Sequence, residues 1–199
     1  MRAAVRLAWR GTAVLAFGAT AALAVALNRP APAPAAVTTA SHAKPAPRCT
    51  AARLAISLAL APQALPAGTR YPVEFTNTST ATCTLTGYPQ VAAYDARGGG
   101  YTQVGNAAGQ VESAIARRIV LRPGTSAHSD VDLSAASLPG TACKKVTATG
   151  LRVVAPGEST PRYLRHKVTA CSATGPKAPA YLHVRPVQPG RPSRQAVPE

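Results

Sequence analysis

Aromatic and acidic residues are scarce in this 199-residue chain, and both shortages restrict what the protein is able to do. Tryptophan occurs once, at Trp9, and phenylalanine occurs twice. The hydrophobic core must therefore be built from aliphatic side chains and a few tyrosines. Asp and Glu total 7 against 22 Lys and Arg, which gives a formal net charge of +15. A surplus of this size attracts anionic partners such as teichoic acid, phospholipid head groups, acidic glycans or nucleic acid.

Motifs of common catalytic and nucleotide-binding sites are also missing. The chain contains no Gly-x-Ser-x-Gly, no His-Glu-x-x-His, no Walker loop and no Gly-x-Gly-x-x-Gly. Cys-x-x-Cys and His-x-x-x-His pairs, which favour zinc sites, are absent as well. The basic residues are scattered apart from three short clusters, and no nucleic-acid-binding motif accompanies them. We therefore expect a non-catalytic protein that needs no metal or other cofactor and binds no specific nucleic acid.

The N-terminus has the pattern of an export signal. Three arginines precede an uncharged segment from Gly11 to Leu27, and small residues follow it. A basic region, an apolar region and then small residues are typical of a secretory signal peptide. The apolar segment also approaches the roughly 17–25 residues that span a membrane, so an uncleaved signal anchor is the alternative. We predict that residues 1–35 are this signal peptide or anchor, and either form exports the rest of the chain.

Composition divides the remainder of the chain into three parts. Residues 36–47 are rich in Pro and Ala and have the composition of an extended, solvated linker. Residues 48–187 contain the hydrophobic segments, and a domain of this length is able to bury one core. Residues 188–199 resemble the linker in composition, so we predict a disordered tail.

Alternating hydrophobic residues predict an all-β fold. Residues 53–60 (RLAISLAL) and 70–77 (RYPVEFTN) have apolar side chains at every second position, and residues 61–69 between them have the composition of a turn. Similar short segments follow as far as residues 180–187, separated by Gly and Pro turns. About seven to nine such strands predict an antiparallel, immunoglobulin-like β-sandwich.

The cysteines predict two disulfides. Four cysteines follow the signal segment: Cys49, Cys83, Cys143 and Cys171. An even number in an exported chain indicates disulfides, and four cysteines allow three pairings. If the strands on either side of residues 61–69 form a hairpin, Cys49 falls close to Cys83. The hairpin closed by residues 157–160 likewise brings Cys143 close to Cys171. These registers favour Cys49–Cys83 and Cys143–Cys171 over the crossed pairings, provided that each hairpin lies within one sheet.

The segment from Phe75 to Pro89 (FTNTSTATCTLTGYP) has the composition of a turn between two strands. Asn77 and the Ser and Thr residues after it form turns through hydrogen bonds between side chain and backbone. Gly87 permits a positive φ, Tyr88 packs its ring nearby, and Pro89 interrupts sheet pairing. We therefore assign a structural role to Asn77, Gly87, Tyr88 and Pro89, which redirect the chain.

One polar pattern is a weak candidate for a metal or catalytic site. His128, Asp130 and Asp132 alternate with other residues and should project from one face of a strand. A metal-dependent or hydrolytic enzyme would be the functional interpretation. The solvated face of an amphipathic strand explains the same pattern, and we favour it because only the spacing indicates a site.

The tyrosines are a further candidate for a binding surface. There are six of them: Tyr71, Tyr88, Tyr94, Tyr101, Tyr163 and Tyr181. They could line a face that binds carbohydrate or peptide, although packing in the core or in turns is expected for Tyr71 and Tyr88. Tyr101 follows three glycines and is therefore the best candidate for an exposed contact.

Three features of the sequence occur together in one known family. They are FTNTSTATCTLTGYPQV from Phe75 to Val91, LRPGTSAHSDV from Leu121 to Val131, and the late cysteines Cys143 and Cys171. In these features the chain, from about residue 48 to 186, resembles the actinobacterial exported domain of unknown function 4232. The resemblance implies export and a β-sandwich, and it supplies no catalytic residues. The lipid-modified cysteine expected in some relatives is missing here.

We therefore expect an exported protein of the extracellular space or the cell envelope that acts as a binding or interaction domain. Its partner would be an anionic cell-envelope polymer or another envelope protein. The alternatives are a dedicated binder of teichoic acid or phospholipid, and an enzyme that uses His128, Asp130 and Asp132.

Overall fold

The computed structural model of the protein describes residues 44–59, 62–134 and 143–192. The predicted signal segment, residues 1–35, lies outside this part of the chain. Within the described residues, no helix is long and apolar enough to cross a membrane.

The described residues form short and medium-length strands and no α-helix, which confirms the all-β fold class. A single turn of 3₁₀ helix, Ala51–Arg53, precedes the first strand. The strands are β1 (Leu54–Leu58), β2 (Gln63–Leu65), β3 (Gly68–Asn77), β4 (Cys83–Leu85), β5 (Gln90–Arg97), β6 (Gly100–Val104), β7 (Gly109–Gln110), β8 (Ile119–Leu121), β9 (Ser126–Ser134), β10 (Lys145–Val154), β11 (Pro161–Cys171), β12 (Leu182–Val184) and β13 (Gln188–Pro189).

Two sheets form a sandwich. The larger sheet has the order β1-β3-β9-β12-β7, with β2 beside β3 and β13 beside β9. The smaller sheet has the order β11-β10-β5-β6, and β4 and β8 form a separate pair. The strands of these pairs are antiparallel except β7 and β12, which are parallel. This arrangement confirms the predicted disulfide-stapled β-sandwich.

The core between the sheets follows the alternation of the sequence. Val73 and Phe75 of β3 have no exposed surface, and neither do Val131 of β9 or Leu151 and Val153 of β10. Burial of each such side chain stabilises the fold by roughly 1.5–3 kcal/mol. Because successive side chains of a strand point to opposite faces, the residues between these positions form the outer faces of the two sheets.

Two disulfides connect the four cysteines, Cys49 with Cys83 and Cys143 with Cys171. These are the pairs that the hairpin registers favoured. The second pair arises as expected, because β10 and β11 form a hairpin in which Lys145 lies opposite Cys171.

The first disulfide has a different structural origin from the predicted one. The 3₁₀ turn separates Cys49 from β1, so Cys49 is not an extension of the first hairpin. Instead Arg48 forms a parallel bridge with Thr84, and the Cys49 amide donates to the Thr84 carbonyl at 2.9 Å. The bridge brings Cys49 beside Cys83, with their Cα atoms 4.9 Å apart.

Two segments with irregular composition contain strands. Residues 61–69, expected to be a turn, include β2, which pairs with β3 through a tight turn at residues 66–67. The tail was expected to begin at residue 188, yet Gln188 lies opposite His128 in the pairing of β13 with β9. β12 covers only Val131–Leu133 of this edge, so β13 satisfies backbone groups of β9 that would otherwise lack partners.

Candidate ligand-binding face

Three of the six tyrosines meet on the outer face of the smaller sheet. Tyr94 lies in β5, Tyr101 in β6 and Tyr163 in β11, and we call these three residues the tyrosine cluster. Their chain neighbours Ala93 and Leu164 contact the hydrophobic core. Because side chains alternate along a strand, Tyr94 and Tyr163 point away from that core.

The rings of the tyrosine cluster contact one another directly. Tyr101 and Tyr163 stack with ring centroids 3.8 Å apart and planes inclined by 13°. Tyr94 contacts both rings edge to face, with centroid distances of 5.5 Å to Tyr101 and 5.0 Å to Tyr163. Tyr94 has no exposed surface, whereas Tyr101 is 52% exposed. The cluster therefore presents a stacked pair to solvent above a buried third ring.

The stacked pair joins the two edges of the smaller sheet. β10 and β5 lie between β11 and β6, which in a flat sheet would place the edge strands about 14 Å apart. The Tyr101 and Tyr163 side chains therefore lean toward each other across β10 and β5. The register of β10 with β11 shifts between Ala148 and Gly150, because His166 and Lys167 of β11 lie opposite the single residue Thr149, and such a bulge bends the strand that carries it. The stacked pair therefore spans this face above the ring of Tyr94.

Gly150 provides the room for the buried ring. It lies opposite Tyr94 in the pairing of β10 with β5. A Cβ atom at this position would lie 2.9 Å from Cε1 of Tyr94 and would overlap the carbonyl oxygen of Leu164. Any side chain would therefore displace the ring or separate β10 from β11. A glycine inside a strand normally weakens the strand. Here a glycine is required because an aromatic ring approaches the backbone closely.

The hydroxyl group of Tyr94 is the unusual feature of this face. It is buried and has no hydrogen-bond partner among the described residues. Leaving such a group unpaired costs about 1–3 kcal/mol. The hydroxyl of Tyr181 is the useful comparison, because that buried residue donates a hydrogen bond to the Val104 carbonyl at 2.9 Å.

Electrostatics connect this hydroxyl with its neighbours. Desolvation by burial raises the pKa of Tyr94, because the phenolate loses its hydration. The positive charge of Arg165 opposes that shift, whereas Tyr101 and Tyr163 raise the pKa further. Tyr94 is therefore a neutral phenol at neutral pH, with a guanidinium group within electrostatic reach.

The charge of this face is basic. Arg152 lies opposite Tyr163 in the pairing of β10 with β11, and Arg165 occupies the same side of β11. Asp95 is the single acid in the four strands of this sheet. Its carboxylate lies 2.6 Å from the guanidinium of Arg97. The face therefore combines exposed aromatic surface with guanidinium groups that no carboxylate of the same strands neutralises.

A second basic site lies where the described chain enters the domain. A cavity of about 520 Å³ is lined by Ala46, Pro47, Arg48, Thr84, Thr86, Arg118 and Pro156. None of these lining residues is acidic. Arg118 donates a hydrogen bond to the Ala46 carbonyl at 3.0 Å, and Arg48 forms a backbone bridge with Thr84. The Cys49–Cys83 disulfide adjoins this bridge.

The predicted polar candidates lie on the outer face of the larger sheet. The Asp132 carboxylate accepts two hydrogen bonds from Arg70, at 2.7 and 3.0 Å, and Asp130 lies 3.6 Å from the same guanidinium. Nδ1 of His128 lies 3.0 Å from the carbonyl oxygen of Gly190. Within the described parts of the chain, no group of three His, Cys, Asp or Glu is placed to hold a metal ion. The acids instead link β9 to β3.

Of the four residues assigned a structural role, Asn77 ends β3, and Gly87, Tyr88 and Pro89 lie between β4 and β5. Asn77 is fully buried, and its amide donates to two backbone carbonyl groups at 2.8 and 3.0 Å. Gly87 has the expected positive φ, 104°. The Tyr88 hydroxyl lies within hydrogen-bond distance of two carbonyl oxygens of residues 111–114, and Pro89 is buried. These contacts anchor the turn to the body of the domain.

The sequence indicates Tyr101 as an exposed contact, but it does not reveal that Tyr94, Tyr163 and Arg165 lie on the same face. These residues come from strands that are distant along the chain, so only the order of the sheet brings them together. One signal was present in the sequence, because Gly150 interrupts a strand. Glycines at such positions often mark the close approach of another group.

The fold and this face define the class of protein, which is a disulfide-stapled β-sandwich with an aromatic, basic outer face. The family model described as "Domain of unknown function (DUF4232)" matches residues 49–188. The chain therefore belongs to the DUF4232 family. No curated protein and no solved structure matches the chain significantly.

Proposed function

We propose that the chain is a non-catalytic binding domain that acts outside the cytoplasm and binds carbohydrate on the outer face of its smaller sheet. The observation that carries this proposal is the tyrosine cluster. In a chain with few aromatic residues, three rings lie on an outer face rather than in the core. A sugar ring packs its C–H groups against an exposed aromatic surface, while its hydroxyl groups bond to polar neighbours such as Arg152 and Arg165.

The disulfides support the proposed compartment. Structural disulfides persist in oxidising environments and are rare in the cytosol. All four cysteines of the chain are paired, and no free cysteine remains. An oxidising compartment fits the exported, envelope-associated role that we propose.

The size of the aromatic surface favours a sugar over a protein partner. Among the described residues, the large hydrophobic side chains with wide exposure are Tyr101, Ile115 and Val120, and only Tyr101 belongs to this sheet. A stable protein interface buries roughly 800 Å² on each partner and has an apolar centre. One exposed aromatic pair is small for that purpose, and a single sugar ring is a ligand small enough to be held by it.

Tyr101→Ala is expected to weaken carbohydrate binding at least about tenfold, because 1.4 kcal/mol of lost contact corresponds to that factor. Tyr101 is half-exposed, so its removal should have little effect on stability. The full-length wild-type and variant proteins should be tested on immobilised neutral and acidic oligosaccharides and on purified cell-wall polysaccharide. Isothermal titration calorimetry then gives the dissociation constants.

Val120→Ala is the matched control, since Val120 is 57% exposed but lies on β8. It should bind as tightly as the wild type. Full affinity in Tyr101→Ala would contradict the proposed site. Binding to a purified envelope protein, without binding to any glycan, would contradict the carbohydrate proposal and favour a protein partner.

Binding of an anionic polymer is a second candidate function, and the cavity between Arg48 and Arg118 favours it. Arg48→Gln/Arg118→Gln should reduce the affinity for teichoic acid and for anionic lipid vesicles, measured by sedimentation. Wild-type binding should fall steeply between low and high salt, because screening weakens attraction between exposed charges. The control Arg53→Gln/Arg117→Gln changes the net charge equally at other exposed positions. Equal losses of affinity in the two double variants would count against this site. So would wild-type binding that does not change with salt concentration.

Catalysis by His128, Asp130 and Asp132 is the remaining alternative. The hydrogen bonds from Arg70 to Asp132 and the 3.6 Å approach of Arg185 to the same carboxylate support a structural role for this group. We therefore retain the proposal that the domain is non-catalytic.

A further inference from the structure

We propose that the bound carbohydrate carries a carboxylate, and that this carboxylate binds the Tyr94 hydroxyl and Arg165 when Tyr101 moves away from Tyr163. This inference rests on the proposed function. It adds the charge of the ligand and the two groups that select it.

The unpaired hydroxyl of Tyr94 is the first reason. Buried polar groups in folded proteins nearly always have a hydrogen-bond partner, so each exception requires an explanation. Here the hydroxyl has no partner among the described residues. Phenylalanine would fill the same volume without an unpaired hydroxyl. A ligand atom that accepts its proton in a hydrogen bond would supply the missing partner.

The positive charge on the same face of the sheet is the second reason, because Arg165 and Tyr94 both lie opposite Gly150. Arg165 interacts electrostatically with Tyr94, and Arg152 lies on the same face of the sheet. A carboxylate accepts hydrogen bonds only, so it is able to pair with a phenol O–H and a guanidinium at the same time. Hydrogen bonds between guanidinium and carboxylate are among the strongest in proteins. A neutral sugar hydroxyl would leave the charge of Arg165 without a partner.

The Tyr101 side chain controls the access of the ligand to the Tyr94 hydroxyl. It lies on β6, an edge strand of five residues that follows the turn at Gly98 and Gly99. The side chain is half-exposed, and exposed side chains change rotamer within picoseconds to nanoseconds. When Tyr101 rotates outward, the sugar ring enters between Tyr101 and Tyr163 and packs against both rings. Tyr101 therefore remains a contact of the ligand, and the carboxylate contacts determine which sugar binds.

Tyr94→Phe tests the inference because this change should raise the stability of the domain and weaken its binding of an acidic sugar. Removing the unpaired hydroxyl should raise Tm by about 2–12 °C. The same change should weaken binding of an acidic sugar about tenfold. Suitable probes are cellobiose and cellobiouronic acid, which differ only in a carboxylate that replaces a hydroxymethyl group. Titrations of the full-length protein followed by NMR give both affinities, and calorimetry gives Tm.

Arg165→Gln should abolish the preference for cellobiouronic acid over cellobiose. Lys167→Gln is the matched control, because it removes the same charge two residues away and should retain the preference. Equal wild-type affinity for the two disaccharides, or an unchanged preference in Tyr94→Phe, overturns the inference. So does a Tyr94→Phe variant that loses both stability and binding, which would indicate a packing role. Binding of poly(glycerol phosphate), which lacks a sugar ring, as tightly as the acidic disaccharide also overturns it.

The carbohydrate-binding proposal is tested separately by Tyr101→Ala. If that variant loses affinity for both disaccharides while the wild type shows no preference, the proposed function stands and the carboxylate inference fails. If neither disaccharide nor any other glycan binds, the proposed function itself fails.

Discussion

Replacing Cys49 and Cys83 together by alanine is expected to lower the free energy of unfolding by about 3–4 kcal/mol. The two cysteines are 34 residues apart, and the chain-entropy model assigns a loss of this size to opening such a loop. Natural domains are stable by only about 5–15 kcal/mol, so the variant should lose a large share of its stability. Denaturation with guanidinium chloride measures the change. Alanine is preferred to serine because both positions are buried.

This disulfide should also have a local effect that distinguishes it from the other one. It adjoins the hydrogen bonds from the Thr84 amide to the Pro47 carbonyl, 2.8 Å, and from the Cys49 amide to the Thr84 carbonyl, 2.9 Å. Hydrogen exchange at the Thr84 amide should accelerate beyond the global loss of stability in the first variant. Replacing Cys143 and Cys171 by alanine is the control, with a similar global loss and no extra acceleration at Thr84. A global loss below about 1 kcal/mol would contradict the prediction.

Gly150→Ala is expected to destabilise the domain by about 3 kcal/mol, at the upper end of what overpacking normally costs. The added methyl group would overlap the Leu164 carbonyl, which is backbone, and would press on the ring of Tyr94. Backbone is unable to move aside without breaking the pairing of β10 with β11. Chemical denaturation measures the loss, and aromatic NMR signals should report a displaced tyrosine cluster. Carbohydrate binding should weaken in the fraction that remains folded.

Gly109→Ala is the matched control for this substitution. Gly109 is also a strand glycine, in β7, but a Cβ atom there would meet its nearest neighbour, Nδ1 of His183, at an ordinary contact distance of 3.8 Å. The cost should be below about 1 kcal/mol. If Gly150→Ala were as stable as Gly109→Ala, the close packing of Tyr94 on β10 would not be a real constraint.

Local sequence patterns predicted much of the fold. The alternation in residues 53–60 and 70–77 corresponds to β1 and β3, which pair with Leu54 opposite Asn77. The second hairpin followed from residues 143–171 in the same way. Such predictions succeed because the two-residue period of a strand is a local property, and a short turn sets which residues of a hairpin face each other. The positive φ of Gly87 is local for the same reason.

Predictions that depended on composition alone were less successful. Residues 61–69 contain prolines and a glycine, but β2 forms there because β3 offers a free edge beyond the end of β1. The C-terminal segment is polar and contains prolines, but β13 fills the part of the β9 edge that β12 leaves open. Unpaired backbone groups at a sheet edge form hydrogen bonds with whichever segment lies close to them. Composition does not indicate which segment that will be.

The sequence by itself determined the fold class, the secretory pattern at the N-terminus and the even set of cysteines. Each of these depends on residue type and short-range spacing. The tertiary structure alone decided that Tyr94, Tyr101 and Tyr163 form one cluster, and that Arg165 acts electrostatically on Tyr94 from the same face of the sheet. That grouping requires β11, β10, β5 and β6 to lie side by side, with a glycine at position 150 to admit the ring of Tyr94. Strand order arises from packing between distant segments, so no local pattern in the chain encodes it.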